Sequence, residues 1–267
     1  MLLIDSQNVD VGAKISISVI IPVGNINDYF AQCVDSLLTQ DRSQFEVIFI
    51  FNGTKKTSII DNLSNLSGRI NFKVFWTPHQ IGAGAARNYG ISVAIGEYVC
   101  FLDADDVLCD DKLSRQIEFM ESRDLDFSYT DYKVKKNNKT DATFKRFVPE
   151  LFVQNFIPYK CFIGTSTVMV KKKKIDTDLF PNLQMRQDWA AWIKLDAAGV
   201  KFSKFPFCGT IYNVNAGSLS YNKLRATRGT YLMFRYLGCS RAMAFLRTLT
   251  YSFLTILQRL RELAHVA

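Results

Sequence analysis

The sequence predicts an α/β fold with a mainly parallel central sheet, flanking helices and a C-terminal helical extension. Three observations carry that prediction. Short, mostly apolar runs, such as Phe45 to Phe51 and Val99 to Leu102, suit strands buried on both faces, as in the interior of a parallel sheet. Segments with helical spacing alternate with these runs, which calls for right-handed crossovers. From residue 221 onward the pattern becomes helical and basic.

Each element has a local reason. Ile15 to Ile21 begins as alternation and ends as an apolar run, a first strand closed by Pro22. Asn27 or Asp28 can cap a helix whose apolar positions are Phe30, Cys33, Val34, Leu37 and Leu38. Phe45 to Phe51 forms a second strand, ended by the turn Asn52-Gly53, and a helix around 56–66 and a third strand, Asn71 to Trp76, follow. The small residues from Gly82 to Ala86 let the next helix lie close against the sheet. Past the strand Val99 to Leu102, the segment 111–122 reads as a helix, Leu125 to Thr130 as a strand and Asn137-Asn138 as a turn between basic strands. Ser166 to Val170 is a short strand, and Lys171 to Lys174 is either a solvated turn or a phosphate-binding run. Arg186-Gln187-Asp188-Trp189 opens an amphipathic helix with Trp192, Ile193 and Leu195. Lys201 to Phe207 and Thr210 to Val214 are two more strands, before a loop at 215–220.

A chain of 267 residues with a 48% apolar fraction can bury a full core. One domain over 1–220 and an extension over 221–267 account for it. Six scattered cysteines without a CxxC pair favour a reduced, cytosolic chain over a disulfide framework or a zinc site. With only His79 and His265, a multi-histidine metal centre is all but excluded. The N-terminus lacks the basic region and apolar core of a secretory signal, and no run of about 18 apolar residues predicts a spanning helix.

Charge is unevenly placed. Residues 221–267 hold eight Lys/Arg against one acid, so seven of the chain's eight net positive charges fall there. Interleaved Phe and Leu residues suit either an interfacial helix attracted to anionic lipid or a helical lid packed on the core. Their spacing argues against nucleic acid as a partner.

The chemistry centres on Asp103, Asp105 and Asp106, which follow the strand Val99 to Leu102. In open α/β sheets a ligand lies outside the carboxyl ends of the strands, and clustered carboxylates there call for a cation such as Mg²⁺ or Mn²⁺. The bland alternative is that Asp105, Asp106 or Asp110 caps the helix 111–122. Arg87 suits a phosphate or base contact, with a structural ion pair to an Asp as its alternative. Gly82 and Gly84 make a poor dinucleotide fingerprint, since Arg87 stands where Gly or Ala is wanted and five residues separate the motif from its strand. Asp188 is a candidate base or simply an acid at a helix start.

Together, Ser18 to Val23, Ala86 to Ile91, Phe101 to Asp106, Gln187-Asp188-Trp189 and Ser218-Leu219-Ser220 resemble the family 2 glycosyltransferases, over residues 15–220. The resemblance implies a GT-A fold and an inverting transfer of sugar from a nucleoside diphosphate sugar to an acceptor hydroxyl. It makes Asp103-Ala104-Asp105 a DxD motif, with Asp103 at the ribose and Asp105 holding Mn²⁺ or Mg²⁺. It places Asp188 at the general base, and Pro22, Val23, Asn52 and Arg87 at the donor. A UDP-sugar, a glycan or lipid-linked acceptor of cell-surface polysaccharide or lipopolysaccharide synthesis, and peripheral attachment to the inner face of the membrane through 221–267 complete the expectation. Phe51 and Asn52 replace two acids common in the family, Gly24 replaces an aromatic, and Asn215 stands where a His sometimes aids the metal. Two alternatives are a GT-A-fold binding protein without turnover and a metal-dependent nucleotidyltransferase.

Overall fold

The computed structural model describes residues 2–6, 15–41, 45–53, 63, 66–136, 143–146, 148, 157–214 and 223–264. Among these residues ten strands form a single sheet: β1 (Leu2–Ser6), β2 (Ile17–Val23), β3 (Phe45–Asn52), β4 (Asn71–Thr77), β5 (Tyr98–Phe101), β6 (Val107–Leu108), β7 (Phe127–Lys136), β8 (Thr143–Arg146), β9 (Met169–Lys171) and β10 (Phe202–Val214). Their order is β1-β4-β3-β2-β5-β9-β7-β10-β6, with β8 paired to β7. The helices described are α1 (Asp28–Leu37), α2 (Ala83–Val93), α3 (Lys112–Glu121), α4 (Gln187–Ala197), α5 (Lys223–Tyr236) and α6 (Arg241–Ala264).

The sheet is mixed, which corrects the expectation of a mainly parallel one. Strands β4, β3, β2 and β5 run parallel. Beyond them, β9 is antiparallel to both β5 and β7, while β7 and β10 are parallel to each other. The physical reason is the route of the chain. β9 follows a short 3₁₀ turn at Thr165–Thr167 that lies against the end of β5, so it enters from that end and runs back along β5. β1, which the sequence pattern did not suggest, closes the other edge antiparallel to β4.

Parallel pairing on both sides explains why β2 and β3 are buried at every position. Ile20, Ile48 and Phe101 face one core layer with Trp189 and Trp192. Val19, Ile21, Phe49 and Phe51 face the other, under Phe30 of α1. Asn27 caps α1, its side-chain oxygen accepting from the Tyr29 and Phe30 amides. The helix α2 lies close on β2 because Gly90 has no side chain; a Cβ there would overlap Ile20 Cγ2.

Two further expectations change, while the lysine run keeps its reading as a turn at Lys172–Lys174. No Asp caps the helix at 112–121: Asp111 occupies that position with φ 56° and makes no side-chain capping bond. The two strands expected at 201–214 are one, β10, whose register shifts between Phe205 and Thr210. Pro206, which has no N–H to give the ladder, lies in that stretch. The lysine run lies at the opposite end of β5 from the acids, with Lys171 paired to Asp124 and Lys174 to Asp126. Most of the helix expected around 56–66, the turn Asn137-Asn138, the loop 215–220 with Asn215, and His265 lie outside the described residues.

The tail is helical, as expected, and its inner side packs on α4. Met233, Phe234 and Ala244 are fully buried. The Trp189 ring meets Phe234 at 5.4 Å and Tyr251 at 5.2 Å.

Candidate active site

Strand β5 delivers the acids. Its last ladder bond runs from the Leu102 amide to the Ile20 carbonyl at 3.0 Å, and the chain then turns, with the Asp106 amide donating to the Asp103 carbonyl at 2.9 Å. The three carboxylates meet different fates. Asp103, with a side chain 31% exposed, takes a short ion-paired hydrogen bond from Arg87 Nη2. Asp106 turns inward and accepts from the Ser166 hydroxyl at 2.6 Å. Asp105 is half-buried, and its backbone carbonyl accepts from Asn213 Nδ2 at 2.8 Å.

Electrostatics follow from this crowding. Burial, then the charge of Asp103, pushes the Asp105 carboxyl up to about 6. Burial and the charges of Asp103 and Asp105 push Asp106 well above the usual carboxylate range, against the Ser166 hydrogen bond. Burial pulls the Arg87 guanidinium down, yet Asp103, Asp188 and Tyr212 together hold it above its ordinary value. Arg87 lies over the Phe180 ring at 5.3 Å, and its buried Nε finds no hydrogen-bond partner among the described residues.

Asp188 sits in the first turn of α4, where the helix dipole favours an anion. Thr165 Oγ1 donates to its Oδ2 at 3.4 Å, a long bond. The segment that carries Thr165 also carries Ser166, so one short turn links Asp188 to the acidic loop. Asp103, Asp105, Arg87 and Asp188 are therefore gathered at one edge of the sheet. Asn52 is buried at the end of β3, its side-chain oxygen accepting from the Ile81 amide at 2.6 Å. Pro22 and Val23 are buried inside the β2–β3 pairing, opposite Ile50 and Phe51.

Sequence reasoning missed the residues that brace the loop. Ser166 accepts from the Asp103 amide at 3.1 Å as well as donating to Asp106. The Tyr212 hydroxyl accepts from the Ser166 amide at 3.1 Å and sits against Gly164, where any side chain would collide with it. A hydroxyl run before a short strand was the only signal of Ser166; nothing local marks Tyr212 or Asn213.

The donor set suits a divalent ion held by few protein ligands. Among the described residues no three His, Cys, Asp or Glu side chains cluster as a metal cage. Asp103 is committed to Arg87 and Asp106 to Ser166, which leaves Asp105 as the carboxylate available. Mg²⁺ and Mn²⁺ are commonly held by one or two carboxylates with substrate phosphates completing the shell.

The fold and this edge of acids define a glycosyltransferase of the GT-A type: the family model Glycosyl transferase family 2 matches residues 18–187, and the chain belongs to that family. Among its relatives, TuaG of Bacillus subtilis (strain 168), whose name assigns it to teichuronic acid biosynthesis, is 32% identical over 82% of this chain and 87% of its own length. The UDP-Glc:alpha-D-GlcNAc-diphosphoundecaprenol beta-1,3-glucosyltransferase WfaP of Escherichia coli is 32% identical over 78% of this chain and 81% of its own. Residues 1–349 of TarS from S. aureus, in complex with UDP-GlcNAc, share the fold with a TM-score of 0.67 at 21% identity, over 89% of this chain and 71% of that one. The chain spans 43% of the longer TarS structure.

Proposed function

We propose that the protein is an inverting, metal-dependent glycosyltransferase that moves a sugar from a UDP-sugar to the hydroxyl of a glycan or lipid-linked acceptor in cell-surface polysaccharide synthesis. Residues 1–220 form the transfer unit, and 221–267 attach it to the cytoplasmic face of a membrane. Support for the lipid-linked acceptor comes from the name of WfaP, and support for the donor from that name and from the UDP-GlcNAc complex of TarS. The observation that carries the catalytic reading is the gathering of Arg87, Asp103, Asp105 and Asp188 at the edge where β5 ends.

In this reading Asp105 holds Mn²⁺ or Mg²⁺. When bound, the cation neutralises charge on the donor diphosphate. Arg87 is turned toward the same region by Asp103 and adds a fixed positive charge. Asp103, Asn52 and the backbone of Pro22 and Val23 orient the nucleoside. Asp188 accepts the acceptor's hydroxyl proton as the new bond to the anomeric carbon forms and the bond to the diphosphate oxygen breaks. Attack opposite the leaving group inverts the configuration, and no covalent intermediate with the protein forms.

The test is Asp188→Asn. UDP binding in the presence of Mn²⁺, read by titration calorimetry, stays at the parent level. Transfer from a panel of UDP-sugars to free and lipid-diphosphate-linked glycans falls by roughly 10²–10⁴-fold. Transfer near the parent rate would leave Asp188 as a helix-terminal charge.

A further inference from the structure

The helix α6 presents its faces in the wrong order for a helix of a water-soluble surface. Toward the protein it turns Ala244, Thr248, Tyr251 and Thr255; Thr248 and Thr255 donate to the Ala244 and Tyr251 carbonyls. Toward the outside it turns Phe245, Leu246, Leu249, Phe253, Ile256 and Leu257, which are 37% to 61% exposed. At about 100° per residue these six fall within a stripe of roughly 120°. An amphipathic surface helix normally buries such a stripe, and a contiguous exposed apolar patch marks a docking surface. On the neighbouring α5, Leu232 and Tyr236 are also exposed, beside the exposed Arg228 and Arg235.

We infer that this outward face of α6 docks on an anionic lipid surface and lies in the interfacial plane. Charge decides among occupants. The segment 221–267 holds eight basic residues and one acid, so a second copy would bring like charge against like. An anionic headgroup layer complements it, and each basic residue near such a surface adds on the order of 1 kcal/mol. Arg241, exposed at the start of α6, stands about 40° outside one edge of the stripe by helical register. No helix among the described residues is long and apolar enough to cross a membrane, so the helix lies on the surface and does not span it.

This docking extends the membrane attachment proposed above and stands apart from the roles given to Asp105 and Asp188. The inner side of the same helix also touches the transfer unit. Tyr251 packs on Trp189 and accepts from Arg186 Nη2 at 2.7 Å, next to Asp188. A lipid-held α6 therefore keeps the base-bearing helix at a fixed distance from the surface where a lipid-linked acceptor resides.

The experiment is co-sedimentation of the full chain with phosphatidylcholine vesicles, with and without phosphatidylglycerol, at low and high salt. The protein pellets with the phosphatidylglycerol vesicles at low salt and is partly released at high salt. Leu249→Gln with Phe253→Gln changes only exposed positions, so it keeps the parent melting temperature while vesicle partitioning falls on the order of 10²-fold. Parent protein that stays in solution with phosphatidylglycerol vesicles overturns the docking, as does equal binding by the double variant. A dimer seen by analytical ultracentrifugation that the double variant abolishes, without vesicle binding, assigns the face to self-association instead. Neither readout uses a sugar donor, so transfer to a soluble acceptor tests the catalytic reading separately.

Discussion

Breaking the Arg87–Asp103 pair one side at a time, and then both, separates its structural from its functional worth. The Arg87 side chain is 6% exposed and that of Asp103 31%, so the partners are not equivalent. Asp103→Asn leaves a nearly sealed cation facing a neutral amide. Removing one partner of a buried pair costs about 3–5 kcal/mol, and since Asp188 still attracts the cation, about 3 kcal/mol is expected. Arg87→Met leaves a carboxylate partly open to water, and screening reduces the cost to roughly 1–2 kcal/mol. That change also removes Nε, a buried donor without a partner among the described residues, a defect of about 1–3 kcal/mol in its own right. The double variant loses both charges, keeps an apolar filler against Phe180, and lies within about 1 kcal/mol of the parent. The coupling is then on the order of 3 kcal/mol. Urea unfolding followed by the fluorescence of the three tryptophans measures it. Titration of UDP with Mn²⁺ on the folded double variant shows binding lost although stability has returned. A double variant destabilised by the sum of the singles would refute the pairing argument, and one that binds UDP normally would refute the functional one.

Asp105→Asn tests the raised carboxyl. A group held at about 6 against an ordinary 3.8 opposes folding once the unfolded chain ionises, so in divalent-free buffer the cost is absent below about pH 4 and complete above about pH 6. The variant gains about 1–2 kcal/mol at pH 8, discounted from a ceiling of about 3 because the side chain is partly exposed, and gains nothing near pH 4; melting curves with an equal gap at both would sink the idea. Gly90→Ala pushes a methyl into Ile20 and costs on the order of 1–3 kcal/mol in urea unfolding, and a variant as stable as the parent would show that α2 is free to move off β2.

Most of the parallel half of the sheet was legible because β2, β3 and β5 are buried on both faces, and continuous apolar runs report that directly. β1 and β9 were harder. β1 is an edge strand, and β9 is three residues long, with a direction set by the preceding turn and not by its own composition. Asp103 and Asp105 stood out because charge at the end of a buried run is costly and so informative, and Arg87 because it is the one charge in an otherwise apolar helix. Asp106 was read as part of the same cluster, but its separate fate depends on a hydroxyl sixty positions away in sequence. Such long-range partners leave no local trace, which is why Ser166, Tyr212 and Asn213 emerged only from the fold.

The mixed character of the sheet bears on how the site is held. β5 is the seam: it pairs in parallel with β2 on one side and antiparallel with β9 on the other. From the parallel side the site receives Arg87, carried by the helix packed on β2, and the acids themselves. From the other side come Ser166, which holds the Asp103 amide and Asp106, and Asn213 and Tyr212 of β10, which hold Asp105 and Ser166. A wholly parallel sheet would bring its next strand in from the far edge, and the residues before it would lie away from the acids. Because β9 enters from the end that carries the acids, the turn that starts it brings Ser166 into hydrogen bonds with Asp103 and Asp106, and its neighbour Thr165 reaches Asp188. The antiparallel strand is thus what joins the carboxylates of the loop to the carboxylate on α4.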